Sequence, residues 1–500
     1  MERQIRRLAI GFLLLFAALG VNLNYIQVIA ADDLYNNDAN LKRQLIDEYD
    51  VHRGAILAAD GQTQLALSVP TGGQLRFLRR YPGGDLYGHI TGFYSIVTGR
   101  TELEEEYNDY LAGRAEELFP QRLIDEILGR DKHGASIVTT IDPELQELAQ
   151  QTLSQQATSG GALAAINPQT GQVLALVSIP SYDPGPLASH RPDVARRAYQ
   201  QLNPTSLDTP LLSNANDRLV PPGSTFKVVT AAAVLENGGS PSSSVPNPPQ
   251  LTLPDSPGNP LENFGGSQCP AGSQIDLALS LQISCNVAFG EFGISVGGEA
   301  LAEQAERFGF GGDIGLDIPF AEGQIFSEGG VEDAGVLASA QSFEAKTAIG
   351  QQDVRTNPLH MALVAGAIGN GGVMMEPSLV TEIRDPEGRD FLTFGPEVYN
   401  RVMSEQNAAA LTEMMVSVVQ SGTGTAAQIP GVTVAGKTGT AQTVTGASPH
   451  AWFIGFAPAQ NPQIAVAVLI LNGGSLAREA TGGQLAAPIA KAVMEAALNR

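Results

Sequence analysis

The sequence is poor in cysteine and in positive charge, and each of these two shortages excludes a class of protein or site. Of 500 residues, two are cysteine and one is tryptophan, and two thiols cannot build a cysteine-rich zinc site. Asp and Glu number 52 against 29 Lys and Arg, which gives a formal net charge of −23. Without a basic surplus to neutralise phosphates, the chain is not expected to bind nucleic acid. The six histidines show no metal-ligand spacing, so we predict no metal and no cofactor.

Long apolar runs are also scarce, and the one that occurs lies at the amino terminus. The run from Leu8 to Val21 continues with few polar interruptions to Ala31, and as a helix it is long enough to span a bilayer. The charges that precede it are positive, at Arg3, Arg6 and Arg7. Such charges place the amino terminus in the cytoplasm and the remainder outside. A cleaved signal peptide ending near residues 28–30 is the alternative.

The two cysteines, Cys269 and Cys285, lie close together in the sequence. If this part of the chain is outside the cytoplasm, they can form a disulfide. Closing a loop of about 15 residues would contribute on the order of 3 kcal/mol in the chain-entropy model. Two separate buried thiols are the other interpretation, and the sequence leaves both open.

Residues 32–155 form an acidic segment with short structural signals. Residues 51–57, followed by a turn at Asp60 and Gly61, predict a strand, and residues 136–141 predict another. A capping Asp142 before Pro143 predicts the start of a helix. The segment shows no nucleophile beside a base, so we expect a structural or docking role.

Residues 156–500 alternate between buried strands and helices. Apolar strands are predicted at 162–166, 172–178, 451–457 and 464–471. Residues 275–370 and 485–498 are predicted to be mainly helical, and 237–273, with eight prolines, to be an irregular excursion. Buried strands at both ends with helices between and after them predict an α+β domain around one sheet.

The stretch from Pro221 to Ala233 carries the first chemical signal. A Pro-Pro-Gly turn leads into an Ala-rich helix, with Ser224 in its first turn and Lys227 three positions later. Positions i and i+3 share a helix face, and an amine beside a hydroxyl at the positive end of a helix can activate a serine. Alone, this short Ser-x-x-Lys pattern is more typical of a helix start with a solvated lysine.

Two further motifs change that interpretation. Ser284-Cys285-Asn286 is a Ser-x-Asn, and Lys437-Thr438-Gly439-Thr440 is a Lys-Thr-Gly followed by Thr. The order Ser-x-x-Lys, Ser-x-Asn, Lys-Thr-Gly resembles the penicillin-binding proteins and serine β-lactamases.

Other stretches resemble class B penicillin-binding proteins, the membrane-anchored transpeptidases of bacterial wall synthesis. Arg53-Gly54 with Asp60-Gly61, Thr139 to Gln146, Ala164 to Pro184 and Ala348 to Gly372 are similar to segments of that family. The resemblance implies an α+β transpeptidase domain like that of penicillin-binding proteins and β-lactamases, an antiparallel sheet flanked by helices.

It also implies three units: a cytoplasmic tip and transmembrane anchor at 1–31, a small dimerisation-type pedestal at 32–155, and the transpeptidase domain at 156–500. The short pedestal is nearest to the small proteins linked to division, and it leaves no room for a glycosyltransferase domain.

The resemblance implies that Ser224, Lys227, Ser284, Asn286 and Lys437 are catalytic. Ser224 would attack a terminal D-Ala-D-Ala carbonyl of a peptidoglycan stem, forming an acyl-enzyme and releasing D-Ala. Lys227 would be neutral when it takes the serine proton, its pKa lowered by burial and by the Lys437 charge. Ser284 would relay a proton to the leaving amine, and Asn286 would hold the stem amide and Lys227.

The last motif would hold the substrate. Lys437 would attract the terminal carboxylate, Thr438 and Thr440 would donate hydroxyl hydrogen bonds, and Gly439 would permit close approach of the substrate. The oxyanion hole would be the backbone N–H groups of Ser224 and Thr440.

The same resemblance implies acylation by β-lactams and a multi-pass glycosyltransferase of the SEDS type as membrane partner. The alternatives are a D,D-carboxypeptidase or β-lactamase-type hydrolase, or a non-enzymatic binding or sensor protein on the same fold. The nucleophile lies far from the apolar segment, and no Glu is recognisable as a deacylating base, which disfavours a hydrolase.

Overall fold

A computed structural model describes residues 2–30, 48–129, 131–325, 340–442 and 447–499. Its strands are β1 (Ile56–Leu57), β2 (Gln64–Pro70), β3 (Phe77–Arg80), β4 (Tyr94–Ser95), β5 (Gly99–Arg100), β6 (Ser136–Thr139), β7 (Gly161–Ile166), β8 (Val173–Ile179), β9 (Ser244–Pro246), β10 (Gln250–Leu253), β11 (Ser256–Glu262), β12 (Gln274–Asp276), β13 (Val373–Met375), β14 (Val380–Arg384), β15 (Asp390–Thr393), β16 (Val398–Arg401), β17 (Ala435–Ala441), β18 (His450–Ala457) and β19 (Ile464–Ile470).

The α-helices are α1 (Glu2–Asn24), α2 (Gly88–Thr91), α3 (Glu102–Glu106), α4 (Asn108–Leu111), α5 (Phe119–Leu128), α6 (Pro143–Gln156), α7 (Pro192–Gln201), α8 (Lys227–Glu236), α9 (Leu277–Gln282), α10 (Asn286–Val296), α11 (Gly298–Arg307), α12 (Gln341–Thr347), α13 (Pro358–Gly369), α14 (Glu405–Ser421) and α15 (Gly482–Leu498).

The amino-terminal helix has the length of a membrane span. Helix α1 runs on into a π-helical turn, Tyr25–Ile29, and Arg3–Ile29 is long and apolar enough to cross a membrane. Its large apolar side chains are exposed, as expected for a helix that lipid would cover. Because a cleaved signal sequence meets the same criteria, the choice between anchor and signal peptide stays open.

The segment after α1 contributes to a six-stranded sheet with strand order β15-β14-β6-β1-β2-β3. The strand predicted at 136–141 is present as β6, but of the strand predicted at 51–57 only the end, β1, is a strand; the two pair in parallel. The predicted helix start is confirmed, because the Asp142 side chain accepts from the backbone N–H groups of Glu144 and Leu145 at 3.0 Å each. Strands β14 and β15 come from far later in the chain, so this sheet joins two distant regions. The domain limits drawn from the sequence remain predictions.

A buried ion triad ties that segment together. The Glu104 carboxylate accepts from Arg53 Nε and from Arg79 Nε, each at 2.6 Å, and from the Tyr81 hydroxyl at 3.1 Å. Burial alone would raise the pKa of Glu104, but the charges and hydrogen bonds of Arg79 and Arg53 hold it below its usual value.

The second main sheet is antiparallel, with strand order β17-β18-β19-β7-β8. Alternate residues of its strands enter two separate cores. Helix α13 packs against one face, and helices α6 and α15 pack against the other. The expected α+β arrangement around one sheet covered on both faces is confirmed, with β17 at an edge.

The proline-rich excursion is more regular than its composition predicts. Within 237–273 the chain forms β9, β10 and β11, and β10 pairs with β11 as a two-stranded ribbon. The expectation of irregular structure is therefore wrong in part. Proline is compatible with such ribbons because an edge strand leaves some N–H groups without a ladder partner.

Candidate active site

Ser224 lies on a short turn that is held from two sides. It occupies a 3₁₀ turn, Gly223–Thr225, and Lys227 is the first residue of α8, so the serine immediately precedes the α-helix. The Trp452 indole donates to Pro221 O at 3.0 Å, and Gly223 N donates to Gly350 O at 2.9 Å. These contacts fix the serine relative to the antiparallel sheet.

Lys227 is fully buried beneath this turn. Its Nζ donates to Ser284 O and Asn286 Oδ1, each at 2.8 Å, and lies 3.3 Å from Ser284 Oγ. Burial and then the charge of Lys437 hold its pKa well below the usual value, which confirms the direction and causes expected from the sequence.

Lys437 approaches the same serine from the other side. Its Nζ donates to Ser284 Oγ at 2.9 Å and to Thr438 O at 2.8 Å. Burial lowers the pKa of Lys437 to about 7. Ser284 has a φ of 60°, a left-handed conformation that non-glycine residues adopt rarely and that is common at functional sites.

The two lysines therefore bracket Ser284, whereas the sequence argument placed the Lys227 amine beside Ser224. Within the described residues, the hydroxyl of Ser224 makes no hydrogen bond. It faces a cleft of about 910 Å³ whose lining also includes Ser284, Asn286, Thr438, Gly439 and Thr440. The cleft thus brings the three motifs together. The two candidate catalytic lysines, Lys227 and Lys437, contact Ser284, which lines the cleft.

Asn286 is positioned by a neighbouring segment that the sequence argument did not identify. Asn263 Oδ1 accepts from the backbone N–H of Asn286 at 2.9 Å and of Val287 at 3.0 Å, so it caps α10. Asn286 Nδ2 donates to Glu262 O at 3.0 Å. A cap contributed from the preceding ribbon leaves no local sequence pattern.

The disulfide left open by the sequence is present. Cys269 and Cys285 are joined, and Cys285 sits between Ser284 and Asn286. The bridge therefore attaches the loop after β11 to the Ser-x-Asn motif.

Gly439, on β17, is packed closely against other residues of the protein, which the sequence did not predict. A Cβ at this position would lie 2.9 Å from both Pro222 O and Thr225 Cγ2, and 3.0 Å from Trp452 Cβ. Glycine therefore allows the strand to pass against the turn that carries the serine. This is a reason for Gly439 besides substrate approach.

Thr438 has a hydrogen-bond partner that no sequence motif predicts. Thr423 Oγ1 lies 2.6 Å from Thr438 Oγ1, and both residues line the cleft. Thr423 belongs to a run of small residues after α14, which carries no distinguishing pattern.

No metal centre is assembled in the parts of the chain that the structure describes, where no three His, Cys, Asp or Glu side chains gather. The cleft brings a serine hydroxyl together with buried amines and a second hydroxyl that can move its proton, an arrangement that suits attack by that serine.

Two family models match the chain. One, described as the penicillin binding protein transpeptidase domain, matches residues 161–495. The other, the penicillin binding protein A dimerisation domain, matches residues 53–137. Together these ranges contain the three motifs and the buried ion triad.

Similar proteins span the full chain. A "Peptidoglycan D,D-transpeptidase PbpA" of Mycolicibacterium smegmatis is 41% identical, covering 100% of this chain and 99% of the relative. A protein of the same name from Mycobacterium tuberculosis is 42% identical with the same coverage. The fold is similar to penicillin-binding protein A of M. tuberculosis solved as a ceftriaxone acyl-enzyme complex, with a TM-score of 0.83 and 41% identity over 91% of this chain and 100% of that one.

Proposed function

The chain belongs to the class B penicillin-binding proteins, and from that premise we propose that it cross-links peptidoglycan stems through an acyl-enzyme on Ser224. It is a serine-type peptidoglycan D,D-transpeptidase that β-lactams acylate. The observation that carries the residue assignment is the pair of buried amines on Ser284 Oγ, from Lys227 at 3.3 Å and Lys437 at 2.9 Å, in the cleft that Ser224 faces.

Lys227 is the base that first takes the Ser224 proton. A neutral amine has two hydrogens and one lone pair, and the two short bonds to Ser284 O and Asn286 Oδ1 use both hydrogens. The lone pair is left to accept a proton, and Ser284 Oγ, at 3.3 Å, is within reach to pass that proton on. Its depressed pKa makes the neutral form more available than it is in a solvated lysine.

In the acylation step, Ser224 Oγ bonds to the carbonyl carbon of the penultimate D-Ala. The scissile C–N bond breaks, and the proton passes by way of Lys227 and Ser284 to the departing amine of D-Ala. Backbone N–H groups of Ser224 and Thr440 hold the oxyanion; losing one such donor typically costs about 10²–10³ in rate.

The donor's terminal carboxylate binds at β17. Lys437 supplies positive charge there, and Thr438 and Thr440 donate hydroxyl hydrogen bonds. The Thr423 hydroxyl, 2.6 Å from that of Thr438, limits the directions in which Thr438 can point. In the second step an amine from a neighbouring stem attacks the ester, and the Ser224 hydroxyl is restored.

The same family membership supports a proposal about the surroundings of the enzyme. Residues 1–31 anchor the protein in the membrane once, and the preceding arginines place its tip in the cytoplasm and the catalytic domain outside. Residues 32–155 act as pedestal and 156–500 as transpeptidase domain. A SEDS-type glycosyltransferase supplies the glycan strands, so co-purification in mild detergent should recover such a polymerase, and its absence would refute the partnership.

The test uses purified full-length protein and glycan strands that carry pentapeptide stems. We expect release of D-Ala together with cross-linked stem dimers, and neither product with Ser224→Ala. Release of D-Ala without dimers would identify a hydrolase, and full activity of Ser224→Ala would refute the assignment.

A further inference from the structure

The cleft wall formed by residues 259–266 lies beside the Ser-x-Asn motif. These residues all line the cleft, and they reach the Ser-x-Asn motif through the hydrogen bond from Asn286 Nδ2 to Glu262 O and through the Asn263 cap. Ser284, the relay to the leaving amine, is two residues from Asn286. An incoming amine must occupy the place that the leaving amine vacates.

Phe264 is an exposed aromatic residue on this wall. Its side chain is 68% exposed. A large apolar side chain that is exposed in a cleft is typical of a ligand contact. The turn that presents it is closed by Gly266 N donating to Asn263 O at 2.9 Å. Gly265, with a φ of 81°, supplies the positive φ that such a turn requires at its third residue. The backbone that carries Phe264 is therefore a defined turn, which sets where the ring leaves the chain.

Glu262 gives the wall its charge. It is exposed, and among the described residues that line the cleft it is the single carboxylate. Thr438 also lines the cleft, and the buried Lys437 beside it in β17 adds positive charge, which suits a carboxylate. A negative charge beside an apolar ring instead suits an ammonium on an alkyl arm.

Resting on the proposed transpeptidase function, we propose that Glu262 and Phe264 form the subsite for the acceptor stem. Phe264 covers the alkyl arm that carries the acceptor amine, and Glu262 attracts the amine while it is still protonated. After the ammonium loses its proton to solvent, the amine nitrogen attacks the ester. The C–N bond forms, the C–Oγ bond breaks, and the second proton returns to Ser224 Oγ through Ser284. These two are specificity residues for the second substrate.

The test measures how the acyl-enzyme partitions between acceptors and water. The full-length enzyme is acylated with a thioester of an acylated D-alanine. It is then offered Nα-acetyl-lysine amide or its alcohol analogue, Nα-acetyl-6-hydroxynorleucine amide. The variants are Glu262→Gln, Phe264→Ala and the conservative Phe264→Tyr. Matched controls are Glu303→Gln on the exposed face of α11 and Phe394→Ala, 45% exposed and outside the cleft lining.

Glu262→Gln should lower the ratio of aminolysis to hydrolysis about three- to fivefold, the scale of a solvent-exposed ion pair, and leave transfer to the alcohol unchanged. Phe264→Ala should lower the rate of transfer to both acceptors about tenfold, the loss expected when about two methylene groups of the acceptor are no longer covered. Phe264→Tyr should restore the transfer rate. The rate of acylation by benzylpenicillin should stay within twofold for all variants.

Unchanged partition ratios in Glu262→Gln and Phe264→Ala would overturn the proposal. So would an equal loss in acylation, because the wall would then hold the donor. Failure of the proposed function gives a different result: the unsubstituted enzyme would transfer nothing to either acceptor.

Discussion

Replacing Cys269 and Cys285 together with serine should destabilise the protein and impair the Ser-x-Asn motif. The bridge closes a loop with a sequence separation of 16, and the chain-entropy model assigns such a loop about 3 kcal/mol. Both residues are buried, so two serine hydroxyls would add a desolvation cost to the lost constraint. A loss of this size corresponds to a fall in Tm on the order of 5 °C for a large domain.

The measurement is the thermal unfolding of the full-length protein in detergent, with and without reductant. Reductant should lower the Tm of the unsubstituted protein toward that of the double variant and should not change the double variant itself. Acylation by benzylpenicillin should also slow, because Ser284 and Asn286 flank one of the cysteines. An unchanged Tm in the double variant, together with unchanged acylation, would refute the reasoning.

Three further predictions concern buried charges. Lys227→Met should lower the second-order rate constant for acylation by about 10²–10⁴, the range for losing a general base, as measured with a fluorescent penicillin. Glu104→Gln should cost about 3–5 kcal/mol, because it leaves two buried arginines unpaired, and should appear as a lower Tm. As the folded pKa of Glu104 is depressed, its contribution is present above the unfolded pKa and is lost as pH falls through the folded value. Because burial lowers the pKa of Lys437 to about 7, acylation should decline as pH rises through that value, and Lys437→Arg should remove the decline.

For each of these three predictions, one result would contradict it. Acylation by Lys227→Met at the normal rate would assign the base elsewhere. A Tm of Glu104→Gln equal to that of the unsubstituted protein would show that the triad contributes nothing to stability. An acylation rate that rises between pH 7 and pH 9 would show that the positive charge of Lys437 is not required.

The sequence was sufficient to predict the main sheet and the three motifs. Strands β7, β8, β18 and β19 have both faces buried, so their apolar runs are continuous and easily recognised. The order and spacing of the short motifs predicted which residues share the cleft. Resemblance to a family of known fold indicates which distant segments meet, and hydrophobic periodicity does not.

Contacts between distant segments could not be predicted in this way. Asn263 caps α10 from a segment whose prolines suggested irregular structure, and Thr423 reaches Thr438 from a run of small residues. The amine of Lys227 lies on Ser284 because α8 and the Ser-x-Asn segment pack together, which helical spacing within one motif does not reveal.

The central claim is that Ser224 is the residue that becomes acylated, and mass spectrometry after exposure to benzylpenicillin tests it most directly. Trypsin should release residues 219–227 as one peptide, since Arg218 and Lys227 bound it. We predict one covalent adduct, on this peptide, with fragment ions that place it on Ser224 rather than Thr225, and no adduct in Ser224→Ala. An adduct on another peptide, or one that persists in Ser224→Ala, would contradict the account.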